Sequence, residues 1–246
     1  MRMAPLRFRQ ITFQVSQLAP VMEIFADDGR SPSDYLSKRK EQMLVRWLAN
    51  DVMARRLLCE LLERPLGAFV ATEVKEPFYG PTEGDIDLLV CDPAAPNEVA
   101  AFECKRVKVE VLDEGNDHVN KLEEVGAGVR QAKKLYDKFG FFQTYMTVIS
   151  AIDSANRKQL NIPCRGITAE STPNWDTNTT TFRSIVEFPR REELPGEIIF
   201  VELVQPSGRS FEEQGTLRIC VHHKATPRTQ RASDTRKIEA LMRGII

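Results

Sequence analysis

Two short stretches of this chain carry side chains that could do metal-assisted hydrolysis: Gly84-Asp85-Ile86-Asp87-Leu88-Leu89-Val90 and Ala101-Phe102-Glu103-Cys104-Lys105. Both read as strands. Strand side chains alternate, so Asp85 and Asp87 share one face while Ile86, Leu88 and Val90 take the other. By the same alternation Glu103 and Lys105 share a face, with Phe102 and Cys104 opposite. A short Pro-containing turn, Asp92 to Asn97, joins the two strands and makes them antiparallel neighbours whose polar faces converge. Two carboxylates beside an apolar layer repel unless a cation sits between them. Magnesium suits such a place, because it takes few protein carboxylates and keeps waters for substrate oxygens; manganese is the expected substitute. Lys105 beside the ion would orient a water or stabilise developing charge. The competing reading makes Glu103 and Lys105 an exposed ion pair on an edge strand. The apolar Val99-Ala100-Ala101-Phe102 before the pair, and Val107, Val109 and Val111 after it, argue for a buried strand, where charges need a reason.

The elements that must position these residues follow from periodicity. A cap at Ser33 or Asp34 opens a long amphipathic helix. Its apolar positions Leu44, Val45, Leu48, Val52, Leu57, Leu58, Leu61 and Leu62 run until Pro65 and Gly67. Strands are expected at Ala68–Val74, Asp85–Cys91 and about Glu98 to Leu112. A helix follows over Asp117–Phe139, then a buried strand over Thr144–Ala151. The order α–β–β–β–α–β predicts an α/β fold with a mixed central sheet flanked by helices. Beyond it, Ile198–Gln205 and Thr216–His222 read as a hairpin and Asp234–Met242 as a terminal helix. Near the start, alternation of Ile11, Phe13 and Val15 predicts a strand. Three segments result: an arm over 1–33, a core over 34–151 and a β-rich C-terminal extension over 152–246.

Composition narrows the classes. The 246 residues carry a formal net charge of −1, and no apolar run is long enough to span a bilayer. Five scattered cysteines, with no CxxC pair and no zinc spacing, fit a reducing cytoplasm better than a disulfide framework. Within the neutral total the charge is segregated. Glu73 to Glu124 holds 14 acidic and 5 basic residues, whereas Arg30 to Arg64 and His222 to Ile246 are net basic. An acidic centre with basic flanks suits a central divalent cation and marginal phosphates; clustered charge on solvated faces is the plainer explanation.

The pattern Gly84-x-x-Asp87, a hydrophobic strand, then Phe102-Glu103-Cys104-Lys105 resembles the PD-(D/E)XK, or restriction-endonuclease-like, nuclease superfamily. In wording it is nearest to Holliday-junction-resolvase and Mrr-type members. That resemblance spans about residues 34–151. It implies a restriction-endonuclease-like core, with Asp87 and Glu103 as magnesium ligands and Lys105 at the attacking water. It further implies Glu41 on the first helix as a metal-proximal acid and Gln131 on the second as an assisting residue. Ile86 stands where many members carry proline, and Gln131 is followed four residues on by Leu135 rather than the tyrosine of RecB-like members. Glu41 extends its helix's apolar face towards the sheet, yet an acid in a first turn is also favoured by the helix dipole. The function implied is metal-dependent hydrolysis of phosphodiester bonds, with DNA as the expected partner, in restriction, phage defence or repair. A homodimer or a larger complex is the expected setting. The rival is a non-catalytic nucleic-acid-binding or scaffold protein on the same fold, or a subunit active only once assembled. Secondary candidates are Asp85, His118, Trp175 as a base-stacking residue, and His222-His223-Lys224 with Arg228 and Arg231 as phosphate contacts.

Overall fold

The computed structural model describes residues 7–14, 41–80, 83–111, 117–120, 122–153, 198–205, 214–221 and 225–244. In chain order the elements are β1 (Arg7–Gln14), α1 (Glu41–Asn50), α2 (Val52–Leu61), β2 (Phe69–Val74), β3 (Ile86–Cys91) and β4 (Ala100–Val111). They continue with β5 (Asp117–Asn120), α3 (Leu122–Lys138), β6 (Gln143–Asp153), β7 (Ile198–Gln205), β8 (Gln214–Val221) and α4 (Ala232–Met242). The architecture is α/β, a mixed sheet with flanking helices.

Two expectations need correcting. The long amphipathic helix is broken: Asp51 leaves the helical backbone, and its carboxylate accepts from the amides of Met53 and Ala54 at 3.0 and 2.8 Å, so α2 starts anew. A side-chain acceptor at that position replaces the carbonyls that the first helical amides lack. The apolar stripe nevertheless continues across the break, with Leu44, Val45 and Leu48 from α1 and Leu57, Leu58 and Leu61 from α2 all buried. The helix expected from Asp117 begins only at Leu122. Residues Asp117–Asn120 are instead a strand, folded back on β4 from Lys108↔Asn120 to Val111↔Asp117.

The sheet runs β1-β8-β7-β6-β4-β3-β2, with β5 attached to β4. β2, β3 and β4 form an antiparallel meander, whereas β4 and β6 are parallel, joined by the α3 crossover. β7 is parallel to β6 and antiparallel to β8, as the expected hairpin requires. The sheet therefore continues through β6 into the C-terminal strands and on to β1 without an edge at residue 151.

Each face of the sheet has its own core. On one, Leu88, Val90, Phe102, Cys104, Tyr145 and Ile149 meet α1 and α2, with the Phe102 and Tyr145 rings stacked at 5.1 Å. On the other, Leu89, Cys91 and Ala101 meet Leu135 of α3, Phe139 just past its end, Phe78, Phe141, and Ile238 of α4. Glu103 and Lys105, two and four residues beyond Ala101, fall on this second face by strand alternation.

A C-terminal segment fastens that layer. Gln230 sits buried between two turns: its carboxamide oxygen accepts from the amides of Val99 and Phe142 at 3.1 and 3.3 Å, and its nitrogen donates to the Pro96 carbonyl at 2.9 Å. Arg228 donates to the carbonyls of Tyr136, Phe139 and Phe141 and lies 3.7 Å over the Tyr136 ring. Arg231 donates to the Lys138 carbonyl at 2.9 Å. The two arginines considered as phosphate contacts thus spend their hydrogens on the C-terminal carbonyls of α3, where cations are favoured. Among the described residues no helix is long and apolar enough to cross a membrane.

Replacing Gln230 by alanine leaves the Val99 and Phe142 amides and the Pro96 carbonyl without this partner. The expected cost is about 2–3 kcal/mol, read as a lower urea midpoint. An unchanged midpoint would mean that this segment lies outside the cooperative fold.

Candidate active site

β3 pairs with β4 only from Leu88↔Phe102 to Val90↔Ala100, and β5 joins β4 only from Lys108. Between these contacts one edge of β4 has no strand beside it among the described residues. Amides alternate along a strand, so the N–H groups of Cys104 and Arg106 both point into this gap. Two carboxylates take them. Asp87 Oδ2 accepts from the Cys104 amide at 2.6 Å, and Glu41 Oε2 accepts from the Arg106 amide at 2.8 Å. The start of β3 thereby supplies one acid to the exposed edge, and the N-terminus of α1 supplies the other.

Lys105 lies between them in sequence and in space. Its Nζ donates to Glu103 Oε1 at 2.7 Å and to its neighbour's carbonyl on Cys104 at 2.9 Å, and stands 3.5 Å from Glu41 Oε1. Four of the five expected site residues, Glu41, Asp87, Glu103 and Lys105, are therefore drawn together. Gln131 is not: it is exposed on α3, and no described hydrogen bond or ion pair ties it to the cluster. The apolar contacts of α3, through Val125, Val129, Ala132 and Leu135, set its buried face, and Gln131 falls outside it.

Electrostatics follow from the count of charges. Glu103 is nearly buried, and its carboxyl is pushed well above the ordinary range, by burial first and by Asp87 next. Asp87 is also raised, by burial first, with Glu41 and Asp85 adding repulsion; the Cys104 amide and Lys105 oppose them. Burial works against the Lys105 ammonium, but Glu103 chiefly, then Glu41 and Asp87, outweigh it and keep the lysine charged. One ammonium among Glu41, Asp87 and Glu103 leaves an excess of negative charge in a place with little water. A hard divalent cation fits this oxygen donor set by charge and ligand type. Among the described residues no group of three or more His, Cys, Asp or Glu side chains is already gathered to hold an ion; Lys105 takes up one oxygen of Glu103.

Two residues at the site were missed by sequence reasoning. A Cβ on Gly128 of α3 would overlap Lys105 Cγ and Met146 Cε, so only glycine lets the helix lie directly on the lysine stem. The signal was present as Gly126-Ala127-Gly128 inside a helical pattern, where glycine otherwise weakens the helix. Tyr79, in the β2–β3 connection, packs its half-buried ring edge-on to Phe139 at 5.2 Å. Its phenol is pushed up to about 12, by burial first and then by Glu103, Glu83, Asp85 and Asp87.

Of the secondary candidates, Asp85 is partly buried and close enough to raise Asp87. His118 lies in β5, paired with Glu110. Trp175 and His222-His223-Lys224 lie outside the described residues. No protein-family model matches this chain, and no curated protein matches it.

Gly128→Ala should cost about 1–3 kcal/mol through overpacking, although alanine gains about 1 kcal/mol of helix propensity. A denaturant midpoint that rises instead would place α3 farther from Lys105. The raised acids give a second outcome. The folded state holds their protons more tightly than the unfolded chain, so with EDTA present stability falls as pH climbs from about 4 towards neutrality. Asp87→Asn keeps an acceptor for the Cys104 amide and removes a charge. Its thermal midpoint in EDTA at pH 8 should therefore exceed that of the unaltered protein by about 2–4 °C, the gap closing at pH 4. A midpoint below that of the unaltered protein at both pH values would contradict the charge argument.

Proposed function

We propose that this chain is a metal-dependent nuclease of the PD-(D/E)XK kind, hydrolysing phosphodiester bonds in DNA. The observation that carries the reading is the gap along β4, where Asp87 and Glu41 are fixed by the Cys104 and Arg106 amides around the buried Glu103 and its half-buried partner Lys105. A strand-edge acid, an acid-x-lysine on the next strand and a helix acid are what the resemblance called for. The meander β2-β3-β4 followed by the α3 crossover to β6 agrees with a core of that type.

Asp87 and Glu103, with Glu41 alongside, would hold the magnesium ion, which when bound supplies Lewis-acid charge at the phosphate. Lys105, held as an ammonium between Glu103 and Glu41, has hydrogens to give and no lone pair to receive one. Its part is to orient water and to donate to oxygen that gains charge. Gly128 presses α3 onto the lysine stem and fixes where that ammonium can reach. The burial of Glu103 keeps competing water away and makes each of these charges count for more than in solvent. Work within a homodimer or a larger defence or repair assembly belongs to the same proposal, as does a cytoplasmic location.

One observation favours a second reading, a scaffold that keeps the fold without the chemistry. The Lys105 ammonium is already satisfied by Glu103, Glu41 and the Cys104 carbonyl, as in a structural ion-pair network. Calorimetry separates the two, since a scaffold has no need to bind magnesium or manganese through Asp87.

The test is cleavage of plasmid, linear duplex, single-stranded DNA and RNA with magnesium, manganese or EDTA. Lys105→Ala and Glu103→Gln should each lower the metal-dependent rate by about 100-fold or more. Cleavage unchanged in both variants would put the activity elsewhere. No cleavage together with no metal binding that depends on Asp87 would favour the scaffold.

A further inference from the structure

The two strands that frame Asp87 lose their regularity at one matched point. In β2, Phe69 and Ala71 pack into the core of the α3 face and Val70 into the core under α1 and α2. Strict alternation would send Val74 the way of Val70, yet Val74 lies buried in the α3 face. β3 behaves alike. Leu88 and Val90 belong to the core under α1 and α2, whereas Ile86, two residues before Leu88, belongs to the other. The residues at the two breaks are Glu73 and Asp87. The pairs Thr72↔Leu88 and Val74↔Ile86 on either side put them opposite each other.

Glu73 has the backbone that lets β2 follow β3 through the break. Its φ is 53°, in the left-handed region that side chains of L residues seldom enter. Glu63, at 58°, lies just past the end of α2, where such a residue is ordinary; Glu73 stands inside a strand. A side chain from α1 grips it there. Arg46 Nε donates to Glu73 Oε2 at 2.6 Å, and Nη2 meets the same oxygen. α1 is itself seated by the buried Leu44, Val45 and Leu48, and it carries Glu41 at its start. The break in β3 serves the site. A carboxylate on a regular strand stands off a face of the sheet, whereas Asp87 reaches sideways to β4 and accepts from the Cys104 amide at 2.6 Å.

We propose that Glu73 is a positioning residue for Asp87: held in its left-handed conformation by Arg46, it carries β2 through the same change of phase as β3 and keeps the Asp87 carboxylate at the edge of β4. The catalytic consequence rests on the nuclease reading above; the placement of Asp87 does not. One ion pair thereby ties α1, the source of Glu41, to the strand that backs Asp87, so the two acids at the gap are set together.

Arg46→Met keeps the stem and removes the donors, which frees Glu73 to leave the left-handed region. Glycine enters that region without a steric clash. Adding Glu73→Gly to Arg46→Met therefore restores the conformation without restoring the ion pair. Three quantities are read: hydrogen exchange of the Cys104 amide in EDTA, manganese affinity by calorimetry, and kcat and KM on DNA under magnesium. Arg46→Met should speed Cys104 exchange by about tenfold, while Ala100 to Phe102, within the β3–β4 ladder, keep their protection. Manganese affinity and kcat should fall by a similar factor with KM unchanged, and the double variant should recover all three. Cys104 protection unchanged in Arg46→Met, or a loss that Glu73→Gly does not restore, would overturn the proposal. Exchange that responds and is rescued, in a protein that neither binds manganese nor cleaves DNA, would leave Glu73 in its role and overturn the nuclease reading.

Discussion

The site depends on β4 being longer than the strand beside it. A strand edge exposes amides that must find acceptors, and a buried amide without one costs as much as a lost hydrogen bond. The β3 ladder on β4 stops at Leu88↔Phe102 and β5 ends opposite Lys108, so neither strand covers Cys104 and Arg106. Carboxylates fill the vacancy: Asp87 from the start of β3 and Glu41 from the first turn of α1. Backbone requirements thereby fix two acids beside the buried Glu103 and the half-buried Lys105, and the positions that chemistry would use are also those that satisfy the sheet.

That solution concentrates negative charge. Glu41, Asp87 and Glu103 face a single ammonium in a partly dry place, and raised proton affinities are the thermodynamic record of the mismatch. Each acid has a local reason to be present, since one caps an amide, one caps another and the third pairs with Lys105. Their sum has none within the described residues. Surplus negative charge held against the stability of the fold is the energetic pattern on which the nuclease proposal draws. A purely structural network would gain by trading one carboxylate for an amide.

Much of this was legible because short-range rules govern it. Strand alternation placed Asp87, Glu103 and Lys105 on converging faces, and β7, β8 and α4 fell close to where turns and periodicity put them. The break at Asp51 was hidden because the apolar stripe runs straight across it, and an aspartate that caps a helix looks like one on a solvated face. β5 was hidden because Asp117 to Asn120 alternates too briefly to stand out from the helix that follows. Gln131 was carried over from the resemblance, and the helix face set by Val125, Val129 and Ala132 turns it outward. The partners of Gln230 and Arg228 lie about a hundred residues or more away along the chain, at distances no local pattern reports.

The long-range contacts explain how the ends of the chain bear on its centre. α3 touches Lys105 through Gly128, so the lysine's position depends on where the helix rests. The helix is held at its other end, where Arg228 and Arg231 take the carbonyls of Tyr136, Phe139 and Lys138, and Asp234 accepts from the Gly140 amide at 2.8 Å. A rigid helix pinned at its C-terminus and seated on a lysine through a glycine has little freedom to slide or roll. The C-terminal segment therefore does more than cover a face of the sheet. By anchoring α3 it sets the height of the floor beneath Lys105, and the same anchorage holds Lys138 and Phe139 against Tyr79. The lysine seat at Gly128 and the aromatic corner at Phe139 lie along one packed helix, so a change at its anchor is felt at both.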